Sequence, residues 1–394
     1  MATVFSEAKA LQDQLVSWRR DLHQIPETGL VLPRTVQYVK DQLTKLGLTF
    51  QEYEGHSGLT VDIGSGGKKA ALRADMDALP ISEDTGLPYA AQNGCMHACG
   101  HDSHTAMLLG AAKLLKERES QLKGTVRLIF QPAEEGPGGA EPMVRDGVVR
   151  DVDAIFALHI GDIAGHFPPG HVAVSPGPTT AADDQVIIQI RGLGGHGSTP
   201  QLCVDPVAVA ALIINNLQYI VSREVDAHHP VVVTIASMDA GGGIFNIIPE
   251  TATLRGTIRN ASPETRDFVL RRIREIAQST ARTMRAECTV DFVDGYPALI
   301  NDRAKTESFL RTARKLLTEE ELHVLDHGML GGEDAAFFFQ EVPGCFFILA
   351  SSAPCPLDGK IYGAHHPRFC IDESVFWRGS ALLAQTAIDW LEEN

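Results

Sequence analysis

The sequence predicts an α/β protein of two domains: a catalytic domain built on a mostly parallel, mixed sheet, and an inserted ferredoxin-like α+β lid/dimerisation domain. Three observations carry this. Apolar strand-like runs alternate with helical patterns over residues 1–182 and again over 295–394, the mark of an α/β sheet. Between 183 and 294 the order changes to strand, helix, strand, strand, helix, strand, which is ferredoxin-like. Several strands of the first region also run straight into acidic or imidazole residues, and open α/β sheets bind ligands off the carboxyl ends of their strands. At 394 residues the chain is too long for one ordinary core, so a discontinuous first domain (1–182 with 295–394) and an inserted second domain (183–294) are expected.

Taken in order, residues 7–24 carry apolar positions at helical spacing, stopped by Pro26, and 34–46 form a second amphipathic helix ending near Gly47. Strand-like runs follow at 58–63 and 69–73, the latter entering Ala74-Asp75-Met76-Asp77. A buried helix is expected over 103–118, and a strand over 125–130 leads into Gln131-Pro132-Ala133-Glu134-Glu135-Gly136. After a short helix near 139–147, a strand from Asp153 leads to His159. In the inserted region strands are expected over 184–191, 231–238, 251–259 and 287–293, with helices over 206–222 and 263–284. Helix 304–318, an apolar strand from Cys345 and helix 374–392 complete the first domain.

The formal net charge of −16 argues against non-specific nucleic-acid binding and against an anionic membrane surface. No apolar run reaches the length of a membrane span, and the first residues lack the basic start and apolar block of a signal peptide, so a cytoplasmic location is expected. Seven scattered cysteines with no Cys-x-x-Cys fit a reduced compartment.

The chemistry gathers around Met96-His97-Ala98-Cys99-Gly100-His101-Asp102-Ser103-His104. Cys99 and His101 are two apart, a spacing that reaches one point only from irregular or extended backbone. A loop entering a helix N-terminus supplies that and favours a thiolate, so the stretch reads as half of a metal site. The plainer alternative is a buried thiol beside structural histidines. Glu134 and Glu135 repel unless a cation lies near them, and a metal with one as ligand and the other as general base satisfies both; an exposed acidic turn is the alternative. His159 at a strand end and His365 in His365-His366-Pro367 are unremarkable alone. Together these residues offer Cys, His, Glu, His and His, a set suited to two borderline divalent ions such as Zn, Mn, Co or Ni, whose bound water can have a pKa near ~7.

Arg73-Ala74-Asp75-Met76-Asp77, Met96–Asp102, Gln131–Gly136, Ala157-Leu158-His159, Gly194-Gly195-His196 and His365-His366-Pro367 occur in that order. In this the chain resembles the M20 metallopeptidases, in particular their amidohydrolase branch of hippurate hydrolases, aminoacylases, N-acetyl-diaminopimelate deacetylases and auxin-conjugate hydrolases. The resemblance spans essentially the whole chain. It implies that Cys99, His101, Glu135, His159 and His365 ligate two divalent metal ions per subunit. It implies that Glu134 is the general base, and that Asp75 and Asp77 are the acidic pair near the metals, assigned to orienting a ligating histidine. Asp102, His97 and His104 are expected beside the centre or at the helix cap, not as ligands. The resemblance further implies a lid that dimerises, with His196 reaching a partner subunit's site to meet the developing oxyanion, and Asn246 and Arg259 holding a substrate carboxylate.

There are departures. Pro200 is followed by Gln201 where many relatives carry a histidine, and His228-His229-Pro230 reads as a turn that imitates the metal motif. Gly331-Gly332-Glu333-Asp334 resembles a loop bordering the family's site, and its carboxylates are expected only to support it. The resulting expectation is hydrolysis of an N-acyl-amino acid to a carboxylic acid and an amino acid by a homodimer or higher homo-oligomer. The nearest alternative is a dipeptidase or carboxypeptidase with the same two-metal centre. A non-catalytic binding protein and a cysteine hydrolase using Cys99 are the alternatives from other classes.

Overall fold

A computed structural model describes residues 3–394. The chain divides into two compact units: one takes the residues up to Thr179, then Leu299–Met329 and Asp334–Asn394, and the other takes Thr180–Ala298 with Leu330–Glu333.

The first unit begins with helices α1 (Val4–Ala10), α2 (Gln12–His23) and α3 (Pro33–Lys45). The single helix expected over 7–24 is thus two, meeting at Leu11. Thr3 caps α1 through its side chain, and a proline in the first turn of α3 fits where no intrahelical N–H is needed. Strands β1 (Gln51–Glu52), β2 (Leu59–Gly64) and β3 (Lys69–Asp75) precede helix α4 (His101–Lys116). Then come β4 (Thr125–Gln131), α5 (Ala140–Arg145), β5 (Ala154–Ile160), β6 (Val172–Val174) and the short β7 (Gly177–Pro178).

The second unit runs β8 (Ala182–Arg191), β9 (Gly195–His196), α6 (Pro206–Tyr219), β10 (Val231–Ala240), β11 (Ile247–Ile248), β12 (Thr251–Asn260), α7 (Pro263–Thr283) and β13 (Glu287–Asp294). Its four long strands form an antiparallel sheet in the order β10-β12-β8-β13, and β9 pairs with β11 as a separate ribbon. Val186, Ile188 and Ile190 alternate along β8 and meet Val209, Ile213 and Leu217 of α6 and Val269 and Ile273 of α7 in one core. The polar alternate positions of β8 face away from it, as a sheet covered on one face requires.

The chain returns to the first unit with β14 (Ile300–Asn301, paired with β7), α8 (Arg303–Ala313), β15 (Leu322–Val324), α9 (Ala336–Glu341), β16 (Gly344–Leu349) and α10 (Phe376–Glu393). The main sheet has eight strands in the order β1-β2-β4-β3-β5-β16-β6-β15. Strands β4, β3, β5 and β16 are mutually parallel; β1 and β2 join antiparallel on one side, and β6 joins antiparallel to β16 on the other. Both faces are covered, which is why β3, β4, β5 and β16 read as almost continuous apolar runs. Phe156 and Leu158 of β5 with Phe347 and Leu349 of β16 face a core shared with α4 and α10, while Ile155, Ala157, Phe346 and Ile348 face the opposite core with Phe338 of α9.

This arrangement positions the chemistry. The carboxyl ends of β3, β4 and β5 carry Asp75, Gln131 and His159–Ile160, and α4 starts at His101 directly after Gly100, whose φ of 87° is a left-handed conformation suited to glycine. No helix among the described residues is long and apolar enough to cross a membrane.

Candidate metal centre

Three expected ligands meet at the ends of β5 and α4. His159 Nε2 lies 3.3 Å from Cys99 Sγ, and ligand atoms of Cys99, His101 and His159 all fall within 4.8 Å of one another. The same holds for Cys99 with Glu135 and His365, and for His101 with Glu134 and Glu135. Cys99 therefore belongs to two groups, one reaching His159 and the other His365. His365 Nε2 stands 3.0 Å from Glu135 Oε1. The backbone N–H of His365 donates to the carbonyl of Ala98 at 2.8 Å, tying the late loop to the Cys99 loop. His365 takes a φ of 67°, a left-handed conformation that a bulky residue holds only when its surroundings fix it.

The hydrogen bonds choose the tautomers. His101 Nδ1 lies 3.1 Å from the backbone carbonyl of Asp77, and His159 Nδ1 lies 2.7 Å from that of Ile160. A carbonyl only accepts, so each Nδ1 carries a proton, and Nε2 is the nitrogen each neutral ring presents to the cluster. His101 is fully buried, yet its Nε2 meets no hydrogen-bond partner. Burial works to lower the pKa of His101, but Asp75 and Cys99 outweigh it and raise it well above the ordinary value, so in the absence of a cation a proton occupies the nitrogen that a metal would take, and the set as a whole fits divalent metals.

Without a cation the site is electrostatically poised. Burial pushes the Cys99 thiol up, and a metal reverses this by holding the thiolate. Burial works to raise Asp75, but His101, His104 and Arg73 outweigh it and hold the carboxyl well below the usual range. Burial and the neighbouring His104 drive His159 down, which keeps it neutral. Burial also acts to raise Glu135, and its hydrogen bond to His365 prevails and lowers it.

A surrounding frame holds these groups. Asp77 Oδ1 accepts from the backbone N–H of Glu134 at 2.9 Å, and its Oδ2 from that of Glu135 at 3.1 Å. Asp75 Oδ1 accepts from His104 Nδ1 at 2.6 Å, while His104 Nε2 accepts from the backbone N–H of Ile160 at 2.8 Å, so His104 is spent on fixing the strand after His159. Asp102 Oδ1 accepts from the N–H of Ser103, and its Oδ2 faces Arg19 at 2.8 Å and His23 at 2.7 Å. His97 is buried with both ring nitrogens lacking a hydrogen-bond partner, and burial pushes its pKa down to about 4.

The support expected of Asp334 takes the form of a second clamp, in which the part of Arg73 was not read from the sequence. Arg73, fully buried, donates to Gln131 Oε1 at 2.8 Å, Asp75 Oδ2 at 2.9 Å and Asp334 Oδ1 at 3.1 Å. Asp334 also accepts from Gln131 Nε2 at 2.6 Å and from the backbone N–H groups of Gly139 and Ala140 at 2.8 and 2.9 Å. It thereby holds both ends of the turn that carries Glu134 and Glu135. The available signal was a carboxylate in Gly331-Gly332-Glu333-Asp334 and a fully apolar strand interrupted by Arg73.

In the second unit His196 is exposed on β9. Its Nδ1 accepts from the backbone N–H of Ser198 at 3.2 Å, which puts the ring proton on Nε2. Asn246 lies between β10 and β11 and gives its backbone carbonyl to Gly197. Arg259 on β12 is paired with Asp183 at 2.5 Å. His228 is an exposed turn residue bonded to Asp226, in keeping with its reading as an imitation of the metal motif.

Residues 71–389 match the family described as Peptidase family M20/M25/M40. The chain is 38% identical over 389 residues to an N-acetyl-L-cysteine deacetylase of Bacillus subtilis, covering 98% of this chain and 90% of that protein. It is 37% identical over 390 residues to thermostable carboxypeptidase 1 of Saccharolobus solfataricus, covering 97% of each. Among solved structures, the Bacillus subtilis YXEP protein, described as a dinuclear metal-binding peptidase of family M20, superposes with a TM-score of 0.84 at 33% identity, over 98% of this chain and 99% of that one. The chain belongs to peptidase family M20/M25/M40 and, within it, to the metal-dependent amidohydrolases that its motifs resemble.

Proposed function

We infer that the protein hydrolyses the amide bond of N-acyl-L-amino acids, releasing a carboxylic acid and a free amino acid. The observation that carries this is the pairing of His101 and His159, each with Nδ1 tied to a backbone carbonyl, His159 with its Nε2 against Cys99 and His101 beside Cys99, Glu134 and Glu135. In this reading Cys99, His101, Glu135, His159 and His365 hold two divalent ions of the Zn, Mn, Co or Ni type. Such ions, when bound, acidify water and polarise the scissile carbonyl.

The remaining work falls to side chains. Glu134, on a turn clamped by Asp77 and Asp334, takes the proton of the attacking water and returns it to the departing nitrogen. Asp75 and Asp77 act through His104, His101 and the Glu134–Glu135 backbone. His196 donates Nε2–H to the developing oxyanion of a neighbouring subunit, a role supported by the tautomer that Ser198 imposes. Asn246 and Arg259 hold the substrate carboxylate, with Asp183 setting the guanidinium plane beforehand. The second unit serves as lid and dimerisation domain. Its edge strand β10 and the exposed Tyr219, Val221 and Met238 support self-association. Seven free cysteines fit a reducing compartment and support a cytoplasmic placing.

The carboxypeptidase relative supports a second reading, cleavage of free peptides at the same centre. Chelated protein, reloaded with Zn, Mn, Co or Ni and offered acetyl-, benzoyl- and long-acyl-amino acids and free dipeptides, separates them. Metal-restored cleavage of acylated substrates alone is the expected result. Equal or faster cleavage of free dipeptides favours the second reading, and no turnover with metal bound favours a binding protein.

A further inference from the structure

In the second unit, Arg259 of β12 and Asp183 of β8 are register partners as well as an ion pair, with Arg259 Nη1 2.5 Å from Asp183 Oδ2. Tyr296 holds Asp183 in turn. The backbone N–H of Asp183 donates to the carbonyl of Tyr296 at 3.0 Å, and its Oδ1 accepts from the N–H of Tyr296 at 3.3 Å. Gly332 of the same unit lies against this group. A Cβ at Gly332 would stand 3.4 Å from Asp183 Oδ2, 3.5 Å from the Tyr296 ring and 3.7 Å from Arg259 Nη1, so the backbone of the segment rests on the pair with no side chain between. The segment is tied to its unit by the N–H of Ala181, which donates to the carbonyl of Gly331 at 3.0 Å.

The chain leaves the second unit at Glu333 and enters the first at Asp334. Asp334 is the carboxylate that accepts from Arg73, from Gln131 just before the Glu134–Glu135 turn, and from the N–H groups of Gly139 and Ala140 just after it. Two peptide bonds therefore join the residue that rests on the Arg259 pair to the residue that seats the turn of Glu134, a span of at most about 7 Å. A connection this short has little slack, so a displacement of Gly332 is passed on to Asp334.

We propose that the segment Gly332–Asp334 makes turnover, and not only binding, depend on the substrate's carboxylate, by linking occupation of Arg259 to the seat of Glu134. This rests on the amidohydrolase reading above, in which Arg259 holds that carboxylate and Glu134 is the general base, and it adds Asp183, Gly332 and Asp334 as positioning residues. Before substrate arrives, Asp183 claims the guanidinium. A substrate carboxylate reaching the same guanidinium repels Asp183 and draws the cation toward itself, so the pair shifts. Gly332 moves with the pair, and Asp334 carries the shift to the N–H groups of Gly139 and Ala140. Misplacing a catalytic group by about 1 Å costs up to about a hundredfold in rate, so a small movement is sufficient. A neutral substrate leaves the Arg259–Asp183 pair as it stands and meets Glu134 in its resting seat.

The test measures kcat and KM of the metal-loaded protein, as purified, for an N-acyl-amino acid and for its neutral α-carboxamide, following the carboxylic acid released from the acyl group. The parent shows a kcat about tenfold higher for the acid, the scale of coupling between two sites, besides any difference in KM. A glycine inserted between Gly332 and Glu333 adds up to about 3.6 Å of slack and leaves the Arg259–Asp183 pair and the Asp334 hydrogen bonds in place. It lowers kcat for the acid to that for the carboxamide, whose own kcat stays at the parent value. Gly332→Ala, whose methyl crowds Asp183 and Arg259, narrows the ratio in the same direction. Circular dichroism and metal content at the parent level identify the folded variants. A segment that served only stability lowers both substrates alike, and an acid-to-carboxamide kcat ratio that survives both changes overturns the link. A parent with equal kcat for the two substrates overturns it without any variant. Either result leaves the amidohydrolase reading standing, whereas no metal-dependent cleavage of the acid by the parent overturns both.

Discussion

Asp77 and Glu134 are joined by a 2.9 Å hydrogen bond from the backbone N–H of Glu134 to Asp77 Oδ1, and the other oxygen of Asp77 takes the next N–H, that of Glu135. One carboxylate thus sets the position of two others without touching their side chains. In Asp77→Asn a donor NH2 replaces one acceptor opposite these N–H groups. The expected outcome is a folded protein whose metal affinity falls about 10- to 100-fold, measured by competition with a chromogenic chelator.

Glu134→Gln keeps the turn and its backbone hydrogen bonds but removes the proton acceptor. Metal content measured by elemental analysis stays at the parent level, while kcat falls about a hundred- to ten-thousand-fold. Near-normal turnover would remove Glu134 from the role of general base.

Cys99 lies in both ligand groups, so Cys99→Ala removes a donor from each. Its metal stoichiometry falls below that of the parent purified alongside it. Chelation of the parent abolishes hydrolysis, and adding back a divalent ion restores it. An enzyme indifferent to chelator and sensitive to thiol alkylation would instead make Cys99 a nucleophile.

His23, which is not among the expected ligands, gives a pH signature of its own. Burial and Arg19 push its pKa down, but hydrogen bonds to Asp102 and Glu83 prevail and raise it above the ordinary 6.5. The folded state therefore holds the proton more tightly than the unfolded chain. The stabilisation is complete below about pH 6.5 and is lost as pH rises through the folded value. In urea titrations the stability gap between the parent and His23→Gln is widest at acid pH and narrows toward alkaline pH; a gap widening with pH would contradict the assignment.

Asp334→Ala withdraws a carboxylate from buried Arg73 and from the N–H groups of Gly139 and Ala140. Breaking a buried ion pair on one side costs about 3–5 kcal/mol. Urea denaturation followed by circular dichroism measures this directly, and a loss under 1 kcal/mol, about the worth of an exposed pair, would show that the clamp is not stabilising.

Much of this was legible in the sequence because the signals are local. Strands running into Asp75 and His159, a helix beginning at His101, and the strand-helix alternation of 183–294 each follow from periodicity within a dozen residues. The clamp around Asp334 was not, because its partners lie far apart in the chain and a lone carboxylate in a glycine-rich loop has no period. The break at Leu11 escaped for another reason: apolar spacing continues across it, and only the backbone turns. The two- and three-residue strands β1, β6 and β15 are too short for any alternation to show. His365 could be named from its motif, but its left-handed backbone and its tie to Ala98 belong to the assembled fold.

The place of β16 in the sheet has a consequence for how the molecule is made. It lies between β5 and β6, although it is synthesised after both and after the whole second unit. A nascent chain on the ribosome carries β5 with a bare apolar edge until that late segment emerges to cover it, the sort of edge that invites mispairing. His365 follows β16, so the expected metal-binding set is completed only after that strand has been made. A nascent chain that stalls before β16 lacks both the strand that closes the sheet and the last of the expected ligands.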